Sequence, residues 1–179
     1  MSEKAIEFCK KRGLTNVKVI NPDHWQAKPD SYDIILLSDV LEHVDDDALL
    51  LKKLFFSLKS HGLLLVTVPA FNFLWSAHDE ILHHHRRYNK RSLIKAGQIA
   101  DIKWSFISYY NFWLFLPVLF LRTLRKLFKI PSLKSDTLPI PCPLLNKIYY
   151  YIFNSEKYFL KLFKFPWGVS LIALIKRED

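Results

Sequence analysis

Two apolar runs, Tyr32–Leu37 (YDIILL) and Leu63–Val68 (LLLVTV), constrain the fold more than any other feature of the sequence. Neither alternates with polar residues, as a half-exposed strand does. Each reads as a strand buried on both faces, the usual condition of a parallel sheet. Between them, Leu51, Leu54, Phe55 and Leu58 recur at helical spacing on one face. Asp45, Asp46 and Asp47 stand before that helix, where carboxylates meet the positive end of the backbone dipole. Ser60-His61-Gly62 is placed to end it. Strand, helix, strand is the rhythm of an α/β sheet.

The flanks extend the pattern. A helix is expected over residues 3–12, stopped by Gly13, followed by a short strand at Val17–Ile20 and turn chemistry at Asn21-Pro22-Asp23-His24. Beyond the second run, a helix is expected over 91–100, stopped near Gly97. A β-rich stretch, Ile102–Tyr110, and a last buried strand, Gly168–Ile175, complete the elements. We expect one domain over 1–179.

Glycine is scarce: Gly13, Gly62, Gly97 and Gly168 are the only four, and no two are close in sequence. A GxGxxG dinucleotide loop and a Walker A loop are therefore excluded. The 14 Phe, 8 Tyr and 5 Trp carry too much hydrophobic mass for a disordered chain. A balance of 26 basic against 17 acidic residues, +9 net, leans toward a polyanionic partner or an anionic membrane surface. Cys9 and Cys142 make no CxxC pair and no disulfide framework, which points to a reducing, cytoplasmic compartment. Residues 1–12 lack the apolar centre of a signal peptide.

Chemistry concentrates in the middle of the chain, where all seven histidines lie between His24 and His85. Ser38-Asp39-Val40-Leu41 leaves the end of a buried strand, the edge at which open α/β sheets bind ligands; Asp39 and Glu42 also suit an approach to the following helix. In residues 70–90, His78, Asp79, His84, Arg86, Arg87 and Tyr88 form the densest polar cluster. A histidine there has the pKa range to take a proton from an oxygen or nitrogen, with Asp79 orienting its ring. Arg86 and Arg87 have the forked donors that hold a carboxylate or phosphate, and equally those of structural salt bridges. His78, Asp79 and His83–His85 match no metal spacing, and adjacent histidines cannot all face one ion, so no metal is expected.

Residues 112–165 differ in texture. Ten largely apolar residues from Phe112 are followed by Arg122, Arg125, Lys126 and Lys129. The apolar run falls short of the roughly 20 residues that span a bilayer. Lys134, Lys147, Lys157, Lys161 and Lys164 continue the charge, against only Asp136 and Glu156. Aromatic residues beside basic ones suit a helix lying in a membrane interface; a helical lid on the sheet is the other reading. No nucleic-acid motif is present.

Taken together, YDIILLSDVLEHVDDD, LKSHGLLLVTVPA, WSAHDEILHHHRRYNKRSL and PWGVSLIALIKR resemble class I S-adenosylmethionine-dependent methyltransferases, in particular a subgroup with a WSxHD…HxRRY block. The resemblance implies a Rossmann-like α/β sheet, strands three to seven of the family order with the last antiparallel, and a helical insertion at 112–165 between the last two strands. It implies S-adenosylmethionine as cofactor, with Asp23, His24, Ser38, Asp39, Val40 and Leu41 lining it. It implies His78, Asp79 and His84 as catalytic residues, and Arg86, Arg87 and Tyr88 as binders of a small-molecule or lipid-linked acceptor. The family's Gly-rich loop and strand-two acid have no counterpart here. The resemblance thus implies an N-terminally truncated chain with impaired transfer, or a non-catalytic, membrane-associated module that keeps the fold. A cytoplasmic location, peripheral on an anionic membrane, fits both.

Overall fold

The computed structural model describes residues 3–22, 24–128 and 142–178. Helix α1 (Glu3–Lys11) comes first, and Gly13, at φ 83°, ends it with its N–H donating to the Lys10 carbonyl. Strand β1 (Tyr32–Ser38) leads through a short 3₁₀ turn, Leu41–His43, into helix α2 (Asp47–Ser57). Asp46 caps α2 by accepting the Leu49 N–H at 2.9 Å, as the acidic run predicts. Strand β2 (Leu58–Pro69) is next, then the short helix α3 (Ala77–Ile81), α4 (Lys90–Ile99) and β3 (Phe106–Tyr110). Helices α5 (Phe112–Leu127) and α6 (Pro143–Leu162) separate β3 from β4 (Ser170–Lys176).

The four strands form one sheet in the order β1-β2-β4-β3. Strands β1 and β2 are parallel; β4 is antiparallel to both β2 and β3. Strands β1, β2 and β3 therefore deliver their C-terminal ends to one edge of the sheet. The helical insertion lies between the last two strands of the chain, as expected.

One face of the sheet carries the core. Leu37, Leu64, Val66, Val68, Ile107, Leu171, Ala173 and Ile175 are buried there with Leu50, Leu51 and Leu54 of α2 and Leu93 and Ala96 of α4. The expectation that both apolar runs are buried on both faces is corrected, because the other face of the sheet is largely bare: Ile34 and Leu36 are 68% and 64% exposed, and Leu63, Leu65, Ile172 and Leu174 are only half-buried.

Three local expectations are corrected. Val17–Ile20 is not a strand: among the described residues nothing pairs with it, and Val19 and Ile20 are exposed. Without a neighbouring strand, its backbone groups have no ladder to join. Ser60-His61-Gly62 does not end α2, which stops at Ser57. It lies within β2, where the pairing jumps from Tyr32↔Leu58 to Ile34↔Leu63. Gly97 does not stop α4 but sits inside it, because a Cβ there would come within 2.3 Å of the Trp104 Nε1 that packs against it. That indole donates to the Leu93 carbonyl at 3.0 Å.

Candidate functional site

The chain leaves each of the three co-directed strands through a residue in the left-handed region: Asp39 (φ 48°), Phe71 (φ 57°) and Asn111 (φ 56°). Non-glycine residues rarely occupy this region, and strain of this kind gathers at functional edges. The Asp39 N–H donates to the Thr67 carbonyl at 3.1 Å, which fixes the turn out of β1. Beside it the Thr67 hydroxyl donates to Ser38 Oγ at 3.2 Å. Ser38 and Asp39 are exposed, Val40 is half-buried and Leu41 is sealed in the core. Tyr110 completes the edge. Burial, then the charge of Asp39, pushes its phenol above the ordinary value, while hydrogen bonds with Ser170 and Thr67 act the other way.

A second group stands behind this edge. Asp79, fully buried, receives Arg87 Nε at 2.7 Å on Oδ1 and Nη2 at 3.0 Å on Oδ2. The Ser76 N–H donates to Oδ2 at 2.8 Å, closing the first turn of α3. His84 Nδ1 lies 2.9 Å from Asp79 Oδ1. Burial works to raise the Asp79 pKa, but the hydrogen bonds and charge of Arg87, joined by His84, hold it below the usual carboxylate range. An ionised Asp79 takes the hydrogen bond of the His84 Nδ1–H and so fixes the ring, leaving Nε2 as its other nitrogen.

What Nε2 faces is Glu42, 4.0 Å from Oε1. Glu42 is fully buried, and among the described residues neither of its carboxylate oxygens has a hydrogen-bond partner. Burial pushes its pKa up to about 7; the charges of Asp39 and Asp79 push the same way, while its own backbone N–H and the charge of Arg87 push down. His43 stands edge-on to His84, ring centroids 4.7 Å apart. Burial, then the charge of His84, lowers the pKa of His43, against a hydrogen bond to the His83 carbonyl.

The expected site residues thus do not share one place. Ser38 and Asp39 lie on the strand-end edge, and Asp79 and His84 form the pair behind it. Arg87 commits its fork to Asp79 and its Nη1 to the Ala70 carbonyl. Arg86 is tied to the start of α2 through the Asp45 carbonyl and the Asp47 carboxylate. The buried Tyr88 donates to Asp47 at 2.8 Å. His78, half-exposed on α3, stands outside the Asp79 network, and His24 lies in a groove with Pro22, Asp45 and Lys53. Asp23 lies outside the described residues.

Sequence reading missed Glu42, His43, Thr67 and Tyr110. Glu42 and His43 were visible in the DVLEH run, but helix-approach chemistry explained a carboxylate there equally well. Tyr110 and Thr67 meet only through the sheet order, which no local spacing reveals.

The profile of the methyltransferase domain matches residues 3–130. No curated protein matches the chain. Solved structures do. An S-adenosylmethionine-dependent methyltransferase from Archaeoglobus fulgidus has a TM-score of 0.54 at 14% identity, covering 98% of this chain and 73% of that one. Another from Mesorhizobium loti has a TM-score of 0.58 at 13% identity, covering 98% and 77%. Phosphoethanolamine N-methyltransferase 2 of Haemonchus contortus, solved with S-adenosylmethionine, has a TM-score of 0.51 at 15% identity, covering 98% and 40%. At such identities the likeness is one of fold, and this chain spans only part of each of those proteins. On the profile match, which covers most of its length, the chain belongs to the methyltransferase domain family and carries the fold of its S-adenosylmethionine-dependent members.

Proposed function

We propose that the chain works in methyl transfer from S-adenosylmethionine to a small-molecule or lipid-linked acceptor, at the edge where β1, β2 and β3 end. The observation that carries this reading is the convergence there of an exposed carboxylate, Asp39, with the Ser38, Thr67 and Tyr110 hydroxyls, backed by the fixed Asp79–His84 pair. These groups fit one side of the cofactor. Asp39 accepts O–H or N–H donors such as a ribose and an ammonium group provide, and the hydroxyls add donors and acceptors. Leu41, closed inside the core, offers no contact. The cofactor supplies a methyl group on a positively charged sulfur.

Transfer from sulfonium to acceptor asks the protein mainly for in-line placement. Asp79 and Arg87 are positioning residues: they set the ring of His84 and keep its Nδ1 proton in place. Nε2, which faces Glu42 in a side chain only 7% exposed, reaches the proton-bearing atom of an acceptor only if the acceptor enters beside Glu42. The membrane reading rests on a separate observation. Helix α6 leaves Tyr150, Tyr151 and Tyr158 about three-fifths exposed and Leu162 80% exposed, beside Lys157 and Lys161. Among the described residues no helix is long and apolar enough to cross a membrane. A surface of this kind suits acceptors held in an anionic bilayer.

Calorimetric titration with S-adenosylhomocysteine tests the cofactor half of the proposal. Saturable one-to-one binding, weakened about tenfold or more in Asp39→Ala, is the expected result, a loss of about 1.4 kcal/mol or more. Absence of heat from the wild-type chain, or equal binding by the variant, would overturn it.

A further inference from the structure

Glu42 poses a problem that methyl transfer leaves unsolved. A buried carboxylate without a donor is costly, and native chains seldom leave one so. Around it the side chains are arranged for something other than a proton. His84 is held through Nδ1 by Asp79, which is held in turn by Arg87. His43 stands edge-on to His84, ring centroids 4.7 Å apart. The His84 ring has one nitrogen committed to an oxygen acceptor, the arrangement by which proteins aim the other nitrogen at a metal. One ligand atom from each of Glu42, His43 and His84 lies within 4.8 Å of the others.

We propose that Glu42, His43 and His84 bind a divalent transition cation of the zinc type, with Asp79 as the outer partner that orients His84. Ligands about 2.1 Å from a tetrahedral ion stand about 3.4 Å apart, so closing the site takes side-chain shifts of about 1 Å. Two imidazoles and one carboxylate form a nitrogen-rich set that favours zinc or cobalt over magnesium or calcium, which take oxygen ligands. Three protein ligands leave a fourth position open, the pattern of a catalytic rather than a structural ion. His43 is the least buried of the three and marks the side from which the ion and its fourth ligand arrive. The adjacent histidines His83 and His85 take no part. The ligands come instead from the turn after β1 and the segment after α3, brought together by the His85 N–H to Glu42 carbonyl bond at 2.8 Å.

Binding of the ion stands on these residues alone. Its role rests on the methyl-transfer reading: an ion held there would lower the pKa of an acceptor oxygen placed at its open position, and His84 Nε2 would then serve as a ligand and not as the group that takes the proton. The test is titration of untagged, chelator-stripped full chain with zinc by calorimetry, and with cobalt by visible absorption. One ion per chain with tetrahedral cobalt bands is expected. His43→Ala, a change at a partly exposed residue, weakens binding about tenfold or more. Glu42→Gln does the same if its circular dichroism matches the parent. No saturable binding, or binding equally tight in His43→Ala, would overturn the proposal. Titrating the stripped chain with S-adenosylhomocysteine separates the readings, since cofactor binding without zinc binding refutes the metal site and leaves methyl transfer standing.

Discussion

At the scale of single residues, the chain treats two of its buried carboxylates, Asp79 and Glu42, in contrasting ways. Asp79 is fully satisfied, with donors from Arg87, Ser76 and His84 on its two oxygens. Glu42 has none among the described residues. The consequence is a pH dependence of stability with a definite sign. The unfolded chain releases the Glu42 proton near pH 4.5, while the folded, metal-free chain keeps it to about 7. Stability from this group is therefore greatest below pH 4.5, falls as pH rises toward 7 and is level beyond. The loss totals about 3 kcal/mol. Denaturant melts in chelator should show this decline for the parent and not for Glu42→Gln, so the two stability–pH curves differ in slope between pH 4.5 and 7. Parallel curves would mean that Glu42 is not a desolvated acid. Nothing in the sequence marks Glu42 and Asp79 as different, because the distinction lies in which donors the fold brings to each.

At the scale of elements, much was legible and the exceptions have causes. The apolar runs marked β1 and the body of β2, the acidic run marked the cap of α2, and the last strand fell where GVSLIALI placed it. Val17–Ile20 failed because a strand is a property of a pair and has no partner among the described residues. Gly97 misled because a glycine in a helix serves packing as readily as termination, and Trp104, seven residues on, decides which. The start of α5 was equally hidden. Its N-cap, Asn111, makes no side-chain capping bond, and the free N–H groups are met from α6 instead: Glu156 accepts the Asn111 N–H at 2.7 Å and the Trp113 N–H at 3.2 Å. This buried carboxylate at a helix start locks α5 to α6 and fixes how the pair presents its outer surface. Sedimentation with vesicles of phosphatidylserine and phosphatidylcholine checks what that surface meets. Binding is expected, reduced about tenfold or more by Lys157→Glu with Lys161→Glu, at roughly 1 kcal/mol per charge near an anionic surface. Vesicle binding that ignores both changes would refute a membrane-facing α6.

At the scale of the whole molecule, the sheet is a two-layer structure with a bare face and a working edge. A parallel β-α-β unit ordinarily has both faces covered, yet Ile34 and Leu36 stand open beside the Ser38–Asp39 turn. The bare face therefore runs up to the strand-end residues, so that apolar and polar surfaces adjoin at the proposed cofactor edge. The sequence motifs located that edge through the residues just past the ends of β1 and β2. They did not show that Tyr110 reaches it, since β3 takes its place only through the pairing with β4. The central claim is that the cofactor binds at this edge. Amide chemical-shift mapping with S-adenosylhomocysteine tests it most directly. Perturbations clustered at Ser38–Asp39, Thr67–Phe71 and Tyr110–Asn111 are the predicted result. Perturbations at the opposite edge, around Lys59–Gly62 and Arg177, or none at saturating ligand, would contradict it.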